Sequence, residues 1–459
     1  MRKIDSGHPE SSWSFLGKLR QKFQGSRSDS VLVRGAVGSC AVKLLAAGTA
    51  FGVHVFLARL LGVGEYGDFA YALNWLSLLA IPVLLGMNTS SVRFIAAYRV
   101  RQQWALLHGL LRRSAYMVAI AGLAVSVIGA VVVWSLRGHI GGGLSATLYI
   151  TFLVLPVLSL LRLREACLRA LKCVVKSGLG DLVIRPLAMA GIVAVLYFCL
   201  RSPVGAPAAM AANLAAAIIA FVIMSIWLRR ALPGEVRKAR PEYALPEWLK
   251  VSLPVLLIAG MRIVLNRTSA LMLGAIVGTD EVGIYSAAVR VGNLVAFGLV
   301  AVNTIVAPMI SELYHTDRKR QLQRIITLAT RGIFAFTAVT SLLLVIFGKK
   351  VMGFFGPSFV VGYVPLLIML GGYTVNSLSG PVSFLMTMTG HQNQAGVIVT
   401  VIAVINIILN ALLIPPMGLV GAAIATAVSM AAWNITMLVY VQRKLGINST
   451  IIAGFGFGK

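Results

Sequence analysis

Apolar runs of about 20 residues, the length a helix needs to cross the hydrocarbon of a bilayer, recur along this chain from end to end. Twelve are predicted, over roughly 36–58, 67–89, 115–136, 144–161, 181–200, 207–228, 251–276, 283–307, 326–347, 362–384, 394–414 and 418–440. Of the 459 residues 58% are hydrophobic and 12% charged, more apolar surface than a soluble domain can bury. The expected fold class is therefore all-α and integral to the membrane.

The net charge of +27 would suit nucleic acid if it were gathered on one surface. It lies instead in short loops between the apolar runs, so no nucleic-acid partner is expected. With the N-terminus inside, 30 Lys and Arg fall on the inner side and only Arg59, Arg137, Arg201, Lys349 and Lys350 on the outer side. By the positive-inside rule both termini are expected in the cytoplasm. The four cysteines, Cys40, Cys167, Cys173 and Cys199, have no metal-ligand spacing and read as free thiols, and no cofactor is expected. The longest loop is about 22 residues, leaving no room for a large extramembrane catalytic domain, so a transporter is expected rather than an enzyme.

The chain repeats itself. Gly62, Glu65, Gly67 and Ala72 recur 216 positions later as Gly278, Glu281, Gly283 and Ala288, and Leu168 finds a weaker match 217 later at Leu385. Six spans per half put both halves the same way up, a parallel repeat about an axis along the membrane normal. The expected organisation is a basic arm over 1–34, an N-lobe over 35–230, a linker over 231–250, a C-lobe over 251–446 and a tail over 447–459. In the arm, Trp13, Phe15, Leu16, Leu19 and Phe23 share one face of a possible helix, which suits either a membrane-surface helix or a disordered arm. The apolar run that follows is of spanning length, so no signal peptide is expected.

Six cations fall inside the spans: Lys43, Arg185, Arg262, Arg267, Arg290 and Arg331. The only carboxylate with them is Asp181, at the mouth of span five, four residues from Arg185 and placed to pair with it on the helix surface. Arg331 is near enough to a span end to snorkel. Lys43 and Arg262 are deeper, about 11 and 16 Å into their helices. A cation at such depth costs about 3 kcal/mol and faces a bundle interior or a watery cavity. Lys43, Ala47, Ala50 and His54 form one helical stripe, and Arg262, Asn266 and Ser269 another. Spans one and seven are repeat equivalents, so the expectation is a central cavity lined by cations and suited to an anion such as a diphosphate.

Several segments resemble the polysaccharide transporters of the multidrug/oligosaccharidyl-lipid/polysaccharide exporter superfamily, the Wzx-type O-antigen flippases. They are Ala58-Arg59-Leu60-Leu61-Gly62 through Tyr71-Ala72, Val92-Arg93-Phe94-Ile95-Ala96, Gly283 through Arg290, Ala307 through Tyr314, Met388-Thr389-Gly390-His391, and Leu413-Ile414-Pro415 through Ala423. The resemblance implies two six-helix lobes in a V, as in MATE transporters, and alternating access. It implies a lipid-diphosphate-linked oligosaccharide as cargo, on undecaprenyl, carried from inner to outer leaflet of a bacterial inner membrane to polysaccharide polymerase machinery. It also implies a cavity lined by spans one, two, seven and eight. The expected anion site is Lys43, His54, Arg262, Asn266, Arg267 and Arg290, with Arg93, Arg185 and Arg331 as gate or anchor residues. A peptidoglycan-precursor flippase shares these features. A cation-coupled drug exporter of the same superfamily needs intramembrane carboxylates, which the spans lack.

Overall fold

Gly62 takes φ 73° and ψ −178°, a conformation that breaks the helix Arg27–Leu84 (α1) in two. Its repeat equivalent Gly278, at φ 144°, makes the corresponding break between Leu245–Ile276 (α8) and Thr279–His315 (α9). The computed structural model describes residues 27–199 and 204–451, with side chains from Leu45 onward except at 258, 304 and 305.

After α1 come Met87–Val100 (α2), Trp104–Ser135 (α3), Gly142–Ala170 (α4), Val174–Cys199 (α5) and Ala206–Ala231 (α6). A short linker helix, Gly234–Lys238 (α7), precedes α8 and α9. Lys319–Gly353 (α10), Tyr363–Ser379 (α11), Val382–Met388 (α12) and Gln392–Leu445 (α13) complete the chain, and α13 is broken at Gly418, φ 52°. Ten helices among the described residues are long and apolar enough to cross a membrane. The breaks at Gly62 and Gly418 divide two of them, giving twelve segments in two lobes of six. Leu123, Leu257 and Leu412 are among many large apolar side chains left on the outer surface, as lipid-facing helices require.

The repeat extends to loop conformation. Gln103 N–H donates to the Tyr98 carbonyl at 2.9 Å around Gln102 at φ 55°. Arg318 N–H does the same to Leu313 at 3.0 Å around Asp317 at φ 53°. Cys173 to Leu168 and His391 to Met386, at 3.0 and 2.8 Å, form a second such pair around Lys172 and Gly390. These six-to-one bonds close helix ends whose carbonyls would otherwise be unsatisfied.

The lobes touch at the end where Gly62 and Gly278 turn. Gly67 and Gly283 pack backbone to backbone there, and a Cβ on Gly67 would stand 2.1 Å from the Thr279 carbonyl oxygen. One hydrophobic core runs through the N-lobe and this shared end, from Val53 and Tyr66 to Phe355 and Leu419. A second core, around Ile310, Ile326 and Met437, belongs to the C-lobe at the opposite, basic end. The seam between the second segment of α1, α2 and α8 is closed along its length. Tyr71 lies on Gly274 at the turn end, Ser90 Oγ and Ser252 Oγ are 2.6 Å apart, and the buried Trp248 Nε1 donates to Tyr98 Oη at 2.9 Å.

Two expectations are corrected. Helix α1 starts at Arg27, ahead of the predicted 36; the rest of the arm, with Trp13 to Phe23, lies outside the described residues. Helix α4 continues to Ala170, nine residues past the predicted end, because the Arg, Leu, Glu and Ala residues there are good helix formers whose charges lower the hydropathy without ending the helix. The spans therefore do hold a second carboxylate, Glu165, buried at 7% exposure.

Candidate functional site

A cavity of about 500 Å³ lies between the lobes. Its wall comes from both segments of α1, from α4, α5 and α6, and from α8 and α9. Spans one, two, seven and eight thus contribute, but α4 to α6 add a side that the resemblance did not imply.

Proline shapes that side. Pro186 has no N–H to donate, and its ring crowds the carbonyl four residues back. The preceding turn, Gly180–Ile184, opens into a π-helix in which Arg185 N–H reaches the Gly180 carbonyl. The wider turn carries Asp181 into the cavity wall. Arg185 Nε donates to Asp181 Oδ1 at 2.6 Å and Arg162 Nε to Oδ2 at 3.3 Å. Arg185 also donates to Asn213 Oδ1 at 2.8 Å. Glu165 Oε1 accepts the Asp181 backbone N–H at 2.6 Å, an approach possible because Gly180 has no side chain; a Cβ there would be 2.7 Å from that oxygen. Asp181 and Arg185 pair as expected, in the cavity wall rather than on a lipid-facing surface.

The other side is cationic and uncompensated. Arg267 donates to Asn74 Oδ1 at 3.2 Å, a neutral partner across the lobe seam. The Arg290 guanidinium lies near the neutral Tyr66 hydroxyl, which is 3.3 Å from His54 Nδ1, and the buried Arg290 Nε has no hydrogen-bond partner. Arg290 and Arg162 both repel the Arg267 guanidinium. Asp181, already bound to two arginines, is the only carboxylate among the described residues that line the cavity.

Of the expected site residues, His54, Asn266, Arg267, Arg290 and Arg185 line this cavity together. Lys43 stands on α1 with its side chain outside the described residues. Arg262 is not in the wall: it is exposed, and its guanidinium lies 5.2 Å from the centre of the Trp433 ring, a cation–π partner on α13. Arg93 is exposed on α2. Arg331 Nε reaches the Ile451 carbonyl at 3.5 Å, against the tail segment that Ser449 anchors to Ser379.

Residues 32–314 match the polysaccharide biosynthesis protein family. The chain belongs to that family. It is similar to the probable flippase AglR of Haloferax volcanii, 31% identical over 173 residues, which are 36% of this chain and 35% of that relative. The match therefore spans about a third of the curated relative's length. Among solved structures, an inward-facing multidrug resistance MATE family transporter of the MOP superfamily has a TM-score of 0.71 at 13% identity, covering 90% of this chain and 98% of that one. The lipid II flippase MurJ, in an inward closed conformation, has a TM-score of 0.69 at 14% identity, covering 88% and 87%. At such identities these two show the fold alone, a helical arrangement like that of MATE and MurJ.

Within the family fold, sequence reasoning missed Arg162, Asn74 and Asn213. Arg162 falls just past the predicted end of its span at 161; its signal is the helical spacing to Glu165 and Arg169. The two asparagines sit in apolar runs, where a buried amide must find a partner.

Proposed function

We propose that the chain carries a lipid-diphosphate-linked oligosaccharide across the membrane by alternating access, with the diphosphate held between Arg267 and Arg290. The observation that carries this reading is the unequal charge of the cavity. Asp181 is consumed by Arg162 and Arg185, while Arg267 and Arg290 face neutral partners only. A phosphate oxygen at about 4 Å from each guanidinium gains about 4 kcal/mol per charge pair at an effective dielectric of 20. Lys43 and Arg262 stand nearer the basic end of the same helix pair and serve as earlier contacts for the entering headgroup. The lipid tails stay in the bilayer throughout.

On this reading the basic loops and both termini are cytoplasmic, by the 30-to-5 charge asymmetry. The membrane is a bacterial inner membrane, the carrier is undecaprenyl, and the delivered unit passes to polymerase machinery. A second reading, a cation-coupled exporter, draws on the buried Glu165 and Asp181. The two free arginines oppose it, since a cationic drug would meet repulsion of about 4 kcal/mol per contact at the same separation and dielectric.

The test is mass spectrometry of lipid-linked glycans in a strain lacking the protein, complemented with wild type or with Arg267→Ala and Arg290→Ala. The proposal expects a diphosphate-linked glycan to accumulate without the protein and with both variants, at normal protein levels. No change in any lipid-linked glycan would refute it.

A further inference from the structure

We propose a second anionic site, distinct from the central cavity, that takes the phosphate headgroup of an anionic glycerophospholipid. A cavity of about 1030 Å³ opens at the basic end of the N-lobe between α3, α4, α6 and the linker that leads to α8. Five arginines line it, Arg112, Arg113, Arg164, Arg229 and Arg237, and no carboxylate does. Arg164 Nε is buried without a hydrogen-bond partner, and so is Ser225 Oγ beside it. The Arg164 guanidinium sits 6.0 Å from the Phe221 ring centre and is repelled by Arg229. A buried donor, a buried hydroxyl and repelling cations are the chemistry that a phosphate monoanion or diester satisfies.

The surroundings favour a lipid over a free phosphate. Arg164 is about 9 Å inside the end of α4, the depth of a headgroup rather than of bulk solvent. Above it, toward the membrane centre, Tyr116, Ile120 and Leu123 form an i, i+4, i+7 stripe on α3, each more than half exposed. Ile218 and Val222 on α6 are also exposed. A phosphate on the arginines would therefore have its acyl chains on an apolar surface already in contact with the bilayer. Basic pockets between membrane helices at the positively charged side are suited to such headgroups.

The linker gives the site a consequence. His108 Nδ1 lies 2.8 Å from the Ala239 carbonyl, Glu242 N–H donates to the Ala105 carbonyl at 3.1 Å, and Arg237 donates to the Arg229 carbonyl. A headgroup bridging Arg237 to Arg112 and Arg164 adds to this clasp, and the linker runs on to α8, which carries Arg267. The lipid would hold the linker to the N-lobe while the C-lobe moves. This inference is independent of the cargo in the central cavity.

The experiment uses the full chain purified in neutral detergent, with native mass spectrometry and thermal unfolding during titration with phosphatidylglycerol, phosphatidylcholine or inorganic phosphate. Wild type should retain phosphatidylglycerol and gain thermal stability from it, with little effect of the other two. The exposed pair Arg112→Gln/Arg229→Gln should weaken phosphatidylglycerol binding by about tenfold or more, whereas Arg318→Gln/Arg320→Gln, far from the cavity, should not. Arg164→Gln should do the same if it folds, and the exposed pair decides the matter if it does not. Equal binding of phosphatidylcholine, equal loss in the Arg318/Arg320 control, or stabilisation by inorganic phosphate alone would each overturn the lipid site.

Discussion

Gly67 and Gly283, equivalent positions of the repeat, pack against each other: a Cβ on Gly283 would stand 3.0 Å from the Gly67 Cα. The repeat axis passes between them, and the contact closes the cavity at that end. Nothing larger than hydrogen fits at either position while the lobes are joined.

Adding bulk here should favour the opposite state. Overpacking of a tight contact costs about 1–3 kcal/mol, and only the joined conformation bears that cost. In Gly67→Leu, a Ser286→Cys probe in the cavity wall should become reactive to an impermeant maleimide from the turn end. Unchanged labelling would mean that the glycine contact does not govern access.

The Ser90–Ser252 hydroxyl contact of 2.6 Å offers the complementary lock at the basic end of the seam. Ser90→Cys/Ser252→Cys, in a background without the native cysteines, should form a disulfide on mild oxidation. The oxidised protein should lose transport and regain it on reduction. Full transport with the bond formed would show that this seam stays closed through the cycle.

Asp181 is expected to be structural. Asp181→Asn leaves Arg162 and Arg185 without counter-charge in a partly buried wall, a loss of about 3 kcal/mol or more. Its melting temperature and membrane level should fall. Glu165→Gln keeps the acceptor for the Asp181 N–H and should be nearly silent. If Asp181→Asn proves as stable as wild type yet inactive, Asp181 belongs to a coupling site and the cation-coupled reading gains.

Much of this was legible in the chain because the bilayer punishes exceptions. The glycines at 62 and 278 and the arginines at 267 and 290 stand out against apolar runs that cannot hold them without a reason. Arg262 stands out equally, yet lies elsewhere. On a helix of about 100° per residue, Arg262 is about 40° from Asn266, on the side of Ser269. Ser269 faces Thr426 at 2.9 Å, and Arg262 follows it onto Trp433. That rotation depends on α13, some 160 residues downstream, and no local pattern records it. Glu165 and Arg162 were hidden for the opposite reason: charges end a hydropathy window even where the helix continues.

The paired action of Arg267 and Arg290 on a diphosphate is most directly measured in proteoliposomes holding the purified protein and a fluorescent lipid-diphosphate glycan. Access of an external quencher or glycosidase reports flipping. Wild type should flip the diphosphate lipid, and an analogue with a neutral linkage should move at least about tenfold more slowly. Arg267→Gln/Arg290→Gln should erase that preference. Arg262→Gln should reduce the rate less, and Arg331→Gln should leave it near wild type. Flipping of the diphosphate lipid at the wild-type rate by the Arg267→Gln/Arg290→Gln protein would contradict the account.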